Sequence, residues 1–483
     1  MRLHRLAPTL TAVIVIIALL GNAPHPAAPL PPGTTYLEPS AQRPGDPAQG
    51  YHYLLYGDYV SSGIPLKIYR QGQPESRLDL GREGDSRGIP YSFNVVDHLR
   101  ADTSRLARRR LAEGEAIGRS AKLVAPNCLT CHAEMLHGQL VVGLGNNSAD
   151  HTRYDDGNFK LTALAIKLKY GKKSPEWGGF APIDRAQQAV GPYIVTQVRG
   201  LNPADKIFAS LAAHRRTDDL SWLDEAQFKV PTEVVPTDVP AWWLMKKKNA
   251  LYYNGLGRGD FARLSAASGM LTMRDSTEAR RIDERFPDVM AWIRTLEPPK
   301  YPHPIDMVQV AEGQKIFEKN CSRCHGTYGD SVSYPNLLVA LDKIGTDPLL
   351  STTYQKFPEY HTWYNQSWYG QGPHRGILQP NDGYVAPPLD GIWATAPYLH
   401  NGSVPTLEDL LNSPQRPKYW VRKFNNADYD TQKGGWRYTT ETTKKDHETY
   451  DTTLPGYGNG GHRFGDKLSP AERRAVVEYL KTL

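Results

Sequence analysis

Two pairs of cysteines constrain this chain more than any other feature. The 483-residue sequence holds four cysteines, which read Cys128-Leu129-Thr130-Cys131-His132 and Cys321-Ser322-Arg323-Cys324-His325. Each is a C-x-x-C-H unit, the attachment signature of c-type haem. Two thiols three positions apart at the start of a short helix can each form a thioether with one haem vinyl group. The adjacent histidine then brings an imidazole nitrogen over the iron as proximal ligand. A redox disulfide would also explain a C-x-x-C pair, and a four-cysteine zinc site would explain two of them. Neither explains a histidine directly after both pairs, and positions 128 and 321 are too far apart for a zinc ribbon. The expected cofactors are therefore two covalently bound haem c groups. Cys128, Cys131, Cys321 and Cys324 attach them, and His132 and His325 are the proximal ligands.

The surroundings of the two units also match. Before the second, Val310, Gly313, Ile316 and Phe317 share one helix face, and Ala112 to Ile117 give a weaker counterpart before the first. Near the end, Ser469-Pro470-Ala471-Glu472 is a capping box with proline at the first helical position. Val476, Tyr479, Leu480 and Leu483 follow at i, i+3, i+4 and i+7, and Val289, Trp292, Ile293 and Leu296 repeat those offsets. The pattern predicts a mainly α fold: two c-type cytochrome domains in tandem, with long loop-rich insertions and little β. The first covers 96–297 and the second 305–483, joined by a proline-rich linker from Glu297 to Pro304 that cannot continue a helix.

Upstream, Arg2, His4 and Arg5 precede an apolar run from Leu10 to Leu20, the order of an export signal, although no cleavage site stands out. Residues 1–30 are expected to be a signal peptide or N-terminal anchor, with 10–20 a candidate membrane tether. The protein is then periplasmic or secreted, or held at the inner membrane. Residues 31–95 read as a Pro/Gly-rich tether followed by an irregular segment. Composition narrows the rest. Mean hydropathy of −0.53 excludes a polytopic membrane protein. A net charge of +6 is too small to argue for nucleic acid.

What a bound haem does depends on the ligand opposite the proximal histidine. No methionine lies beyond Met307, so the second unit has none downstream of it. The candidates there are His462, in a glycine-rich loop shortly before the last helix, and His400 as runner-up. For the first unit, Met270 and Met273 occupy the corresponding place before a closing helix, while His137 and His151 follow the unit closely. The unusually aromatic stretch from Pro240 to Tyr253 is either the wall of a distal pocket or domain core. It supplies Trp243 and Tyr252, which join His132 as catalytic candidates.

The stretch from Pro387 to Leu407, with Gly391, Trp393, Pro397, Tyr398, His400, Asn401 and Gly402, resembles the C-terminal motif of bacterial di-haem cytochrome c peroxidases and their relatives. The His462 loop and final helix are most similar to the rubber-oxygenase branch of that superfamily. The resemblance implies a bis-histidine second haem, a first haem that activates peroxide or dioxygen, and a tryptophan between them, for which Trp177, Trp242 and Trp243 are candidates. It also implies a small redox protein or small-molecule electron partner, an organic substrate as a further option, and Ca2+ as a candidate cofactor. Rubber oxygenases are considerably longer, so their polymer substrate is not carried over. The expected function is an exported di-haem oxidoreductase in which His325 and His462 hold the electron-transfer haem. The alternative is a non-catalytic electron-transfer cytochrome with both irons six-coordinate.

Overall fold

Two crossed helix pairs organise the molecule, a computed structural model that describes residues 30–99, 120–154, 156–424 and 428–483. In the C-terminal half, helix Met307–Asn320 packs against the final helix Pro470–Leu480. The first is capped by Asp306, and the second carries the capping box with Ser469, Pro470 and Glu472. The helices cross at Gly313, where a Cβ would lie 1.9 Å from the Ala475 carbonyl oxygen, so only glycine permits the approach.

In the N-terminal half the same design is built from other sequence. Helix Pro47–Tyr56, capped by Asp46, packs against Phe286–Ile293. This pair crosses at Gly50, where a Cβ would lie 1.9 Å from the Asp288 carbonyl oxygen. The weaker helix expected over 112–117 lies outside the described residues, as does the Leu10–Leu20 run. The partner of the closing helix thus comes from the stretch read as a tether.

That reading of 31–95 is corrected. Strand Thr34–Tyr36 pairs with Leu337–Ala340, and helix Leu66–Gly72 and strand Phe93–Leu99 follow the Pro47–Tyr56 helix. The guanidinium of Arg43 ion-pairs with the buried carboxylates of Asp260 and Asp283 at 2.8 and 2.7 Å. Proline and glycine there mark turns between packed elements rather than an unfolded spacer. The first C-x-x-C-H unit directly follows strand Ser120–Pro126.

The halves interlock. Strands Gly257–Gly259 and Gly376–Leu378 pair across the boundary. Tyr354, Trp363, Tyr364 and Tyr369, on helices inserted in the second half, complete the core of the first. In return Leu136, Leu144, Ala241 and Trp243 join the core of the second. The described strands are short, in two- and three-stranded sheets, and helices dominate.

Candidate functional site

Both C-x-x-C-H units fold into the same tight turn. In the first, Cys131 and His132 backbone N–H groups donate to the Cys128 carbonyl at 3.3 and 3.1 Å. In the second, Cys324 and His325 donate to the Cys321 carbonyl, both at 3.1 Å. The turn gathers the two thiols and the imidazole of each unit. All four cysteines are free. Burial pushes the Cys128 and Cys321 thiols up to about 11, the opposite of what a redox-active thiolate needs. No cluster of three or more metal-ligating side chains forms among the described residues, so the two pairs do not assemble a zinc site, and the Ca2+ expectation finds no donor cluster.

At the second unit, His325 Nδ1 donates to the Pro387 carbonyl at 2.8 Å. A carbonyl can only accept, so Nδ1 carries the proton and Nε2 keeps its lone pair. The carbonyl is itself fixed. Tyr334 donates to the Ala386 carbonyl at 2.6 Å, the Leu389 N–H donates to the Tyr328 hydroxyl at 2.6 Å, and Tyr328 donates to the His325 carbonyl at 3.0 Å.

Opposite stands His462, its ring centroid 6.2 Å from that of His325. That is about the separation of two imidazoles bound through nitrogen, at roughly 2 Å each, on opposite faces of one metal. His462 sits at φ +46°, with its N–H donating to the Ile344 carbonyl at 2.7 Å. Arg416 staples the loop by donating to the carbonyls of Asp409, Leu410, Asn459, Gly461 and His462 at 2.7–3.1 Å. His462 Nδ1 has no hydrogen-bond partner. Burial, then the neighbouring His325 and Arg416, push this histidine down to about 3, and burial also lowers His325. Both rings are held neutral, the form that binds metal. Both are only half-buried yet strongly desolvated, as side chains lining an enclosed hollow are. The residues present fit a haem between them.

His400 is not in that position. It is buried and stacks on Tyr384, with ring centroids 4.1 Å apart, so it packs a loop.

At the first unit, Cys128 N–H donates to the Tyr59 hydroxyl at 3.3 Å, and the Asn202 side chain donates to Cys131 Sγ at 3.3 Å. His132 stacks on Trp242, with centroids 4.5 Å apart and 21° between planes. Burial lowers it to about 4, opposed by the Pro240 carbonyl, and Nδ1 makes no hydrogen bond of normal geometry. Among the described residues no histidine ring faces it. His137 packs against His303, Trp393 and Tyr429 instead. The His151 carbonyl accepts from Thr196, and no described ring stacks on its imidazole. Met270 and Met273 are fully buried core residues, and the Met273 sulfur accepts from the Tyr369 hydroxyl at 3.4 Å. Neither thioether borders open space.

Tyr252 does. It is 41 % exposed at φ +68°, yet burial pushes its hydroxyl up to about 12. Asp205, raised to about 6 by burial, acts on it electrostatically. Asp205 also accepts from Tyr354 and lines a small open cleft with Tyr360 and Phe357. Trp243 is not on this wall. It is buried in the core of the second half and donates from Nε1 to the Asp390 carbonyl at 2.8 Å. Adjacent Trp242 and Trp243 therefore run from His132 toward the 387–390 segment that holds His325. Trp177 packs on Phe180 and under Lys167, away from both units.

Sequence reasoning missed Pro387 and Arg416 as parts of the site. Pro387 acts through a carbonyl and Arg416 through five of them, and neither leaves a motif in side-chain pattern. Trp242 was one of three unranked tryptophan candidates.

Comparison with known proteins agrees with this geometry. A cytochrome c family profile matches residues 310–399, and one described as RoxA-like, cytochrome c-like matches 383–421. The cytochrome c match implies covalently bound haem c and a haem-based redox or electron-transfer role. Two uncharacterized proteins of Sinorhizobium fredii are similar. The chain is 27 % identical to y4iM, with 56 % of this chain and 69 % of that one covered. It is 32 % identical to y4iJ, with 39 % and 41 % covered.

Proposed function

We propose that the chain is an exported di-haem c-type cytochrome that works as an oxidoreductase, with one closed and one open iron site. The observation that carries this reading is the contrast across the two proximal histidines: His325 faces His462 at 6.2 Å, whereas among the described residues the ring packed on His132 is that of Trp242 and no histidine faces it. Haem c supplies one-electron chemistry at both sites and, where its sixth position is free, binding of peroxide or dioxygen.

The chain's own residues divide the work. His325 and His462, both neutral and braced by Pro387 and Arg416, fix a site that changes charge with little rearrangement, suited to storing and passing electrons. At the first site His132 would hold the iron as proximal ligand. Burial and the nearby Asp205 keep the Tyr252 hydroxyl protonated, and Asp205, raised to about 6, can give or take a proton within its own cleft. Trp242 and Trp243 bridge the two sites. The substrate is peroxide, dioxygen or an organic compound, and the electron partner a small redox protein or small molecule, with no nucleic acid involved.

The ferric spectrum tests the assignment. One high-spin and one low-spin haem per chain is expected, with peroxide or dioxygen perturbing only the high-spin signal. His462→Ala should convert the low-spin haem and leave the other unchanged. Two low-spin haems with no response to either ligand would favour the electron carrier instead.

A further inference from the structure

We propose that helix Asp156–Tyr170 is a membrane-docking element that lies flat on an anionic bilayer surface. Its inner face is occupied: Ala163 and Ile166 are buried with Phe159 and Tyr170 against Phe180 and Ile183 of helix Pro175–Val190. Its outer face carries a second apolar stripe that no described residue covers. Leu161, Leu164 and Leu168 are 65, 51 and 78 % exposed, and Ala165 between them is exposed as well. These positions stand at i, i+3, i+4 and i+7, one continuous line along the helix. Scattered single leucines on a surface are ordinary, but an aligned set marks an interaction site.

The charge around the stripe selects the partner. Lysines stand at 160, 167, 169, 172 and 173, and no Asp or Glu occurs from 157 to 173. At 100° per residue, Lys160 falls on one side of the leucines and Lys169 on the other, while Lys172 and Lys173 lie in the turn beyond the helix end at Tyr170. Lys160, Lys169, Lys172 and Lys173 are exposed, while Lys167 is drawn away over the Trp177 ring at 4.4 Å. Leucines flanked on both sides by lysines match a surface whose interior is apolar and whose rim is anionic, which is the layout of acidic lipid headgroups over acyl chains. The long lysine stems can lie along that boundary with their ammonium groups among the phosphates. No described helix is long and apolar enough to cross a membrane, so this one rests in the interface plane. The inference is independent of haem ligation and of the Leu10–Leu20 run.

Flotation of the full-length holoprotein with lipid vesicles tests it. The chain should float with phosphatidylcholine–phosphatidylglycerol vesicles about tenfold more than with phosphatidylcholine alone, and less at high salt. The triple variant Leu161→Ser, Leu164→Ser, Leu168→Ser should lose that preference with its haem spectrum and melting temperature unchanged. Lys169→Gln with Lys172→Gln should weaken flotation less. Three results would overturn the proposal. One is no flotation on either vesicle. Another is equal flotation on both that survives the triple substitution, which would assign attachment to another segment. The third is a triple variant with a lower melting temperature or a changed oligomeric state, which would show the stripe covered by the chain itself, a second copy or a protein partner.

Discussion

The two C-x-x-C-H units have the same turn and the same pair of backbone hydrogen bonds, yet their surroundings make them different sites. Around His325, Pro387 fixes the tautomer, two tyrosines fix Pro387, and a five-bond arginine fixes the loop that presents His462. Around His132 the imidazole lies against an indole, and its Nδ1 lacks a partner of normal geometry. A hydrogen-bonded imidazole is a stronger and better-oriented ligand than an unbonded one. The comparison teaches that the motif sets attachment and the loops contributed by the rest of each half set chemistry.

The largest effect that separates the two sites is loss of a haem. Cys321→Ser with Cys324→Ser should halve covalent haem and iron per chain and leave the high-spin species. Cys128→Ser with Cys131→Ser should also halve the content, but leave the low-spin bis-imidazole species. Iron analysis with the haemochrome and ferric spectra checks both. If the two double variants keep the same residual spectrum, the contrast between an open and a closed site is gone.

Attachment residues and the His462 position were legible in the sequence, because thioether chemistry demands a fixed spacing and the loop before a closing helix is a short-range feature. The methionines could be read two ways. Position along the chain placed Met270 and Met273 where a ligand would be, core packing was the favoured reading, and both are fully buried. The aromatic stretch with Trp243 stayed open between pocket wall and domain core, because two adjacent tryptophans in a turn of helix Trp242–Lys247 face different cores, and no pattern in one sequence says which. Pro47–Tyr56 was missed because its proline, glycine and glutamine look like spacer composition. Its defining contact, Gly50 against Asp288, spans most of the first half.

That contact gives a medium-sized test of whether the halves share a design. A methyl group at Gly50 or at Gly313 would have to displace a backbone carbonyl, not a flexible side chain. Overpacking of this kind costs about 1–3 kcal/mol, which lowers the melting temperature by about 1 °C per kcal/mol if a chain of this size melts as one unit. Gly50→Ala and Gly313→Ala should therefore destabilise the holoprotein similarly, as read by calorimetry. A neutral Gly50→Ala beside a damaging Gly313→Ala would mean that the N-terminal pair is a loose imitation of the C-terminal one.

The narrowest contrast is between the buried His400 and the half-buried His462, two histidines of the second half. Burial lowers His400 to about 3 from an ordinary 6.5. The folded chain keeps it neutral while the unfolded chain protonates it below about 6.5, so its contribution to stability is complete above that pH. As pH falls from 6.5 toward 3 this contribution is lost, with a slope of at most about 1.4 kcal/mol per pH unit. Asp238, whose N–H donates to the His400 carbonyl at 2.8 Å, works in the opposite direction. Burial raises it from 3.8 to about 7, so it favours folding at low pH and that benefit is lost as pH rises through this range. His400→Phe keeps a ring on Tyr384 and removes the titration. Denaturant melts between pH 6.5 and 3 should show a shallower acid decline than in the unmodified chain, with the low-spin spectrum intact. A changed haem spectrum in His400→Phe would move the sixth ligand from His462 to His400, and the 6.2 Å pair of imidazoles would lose its meaning.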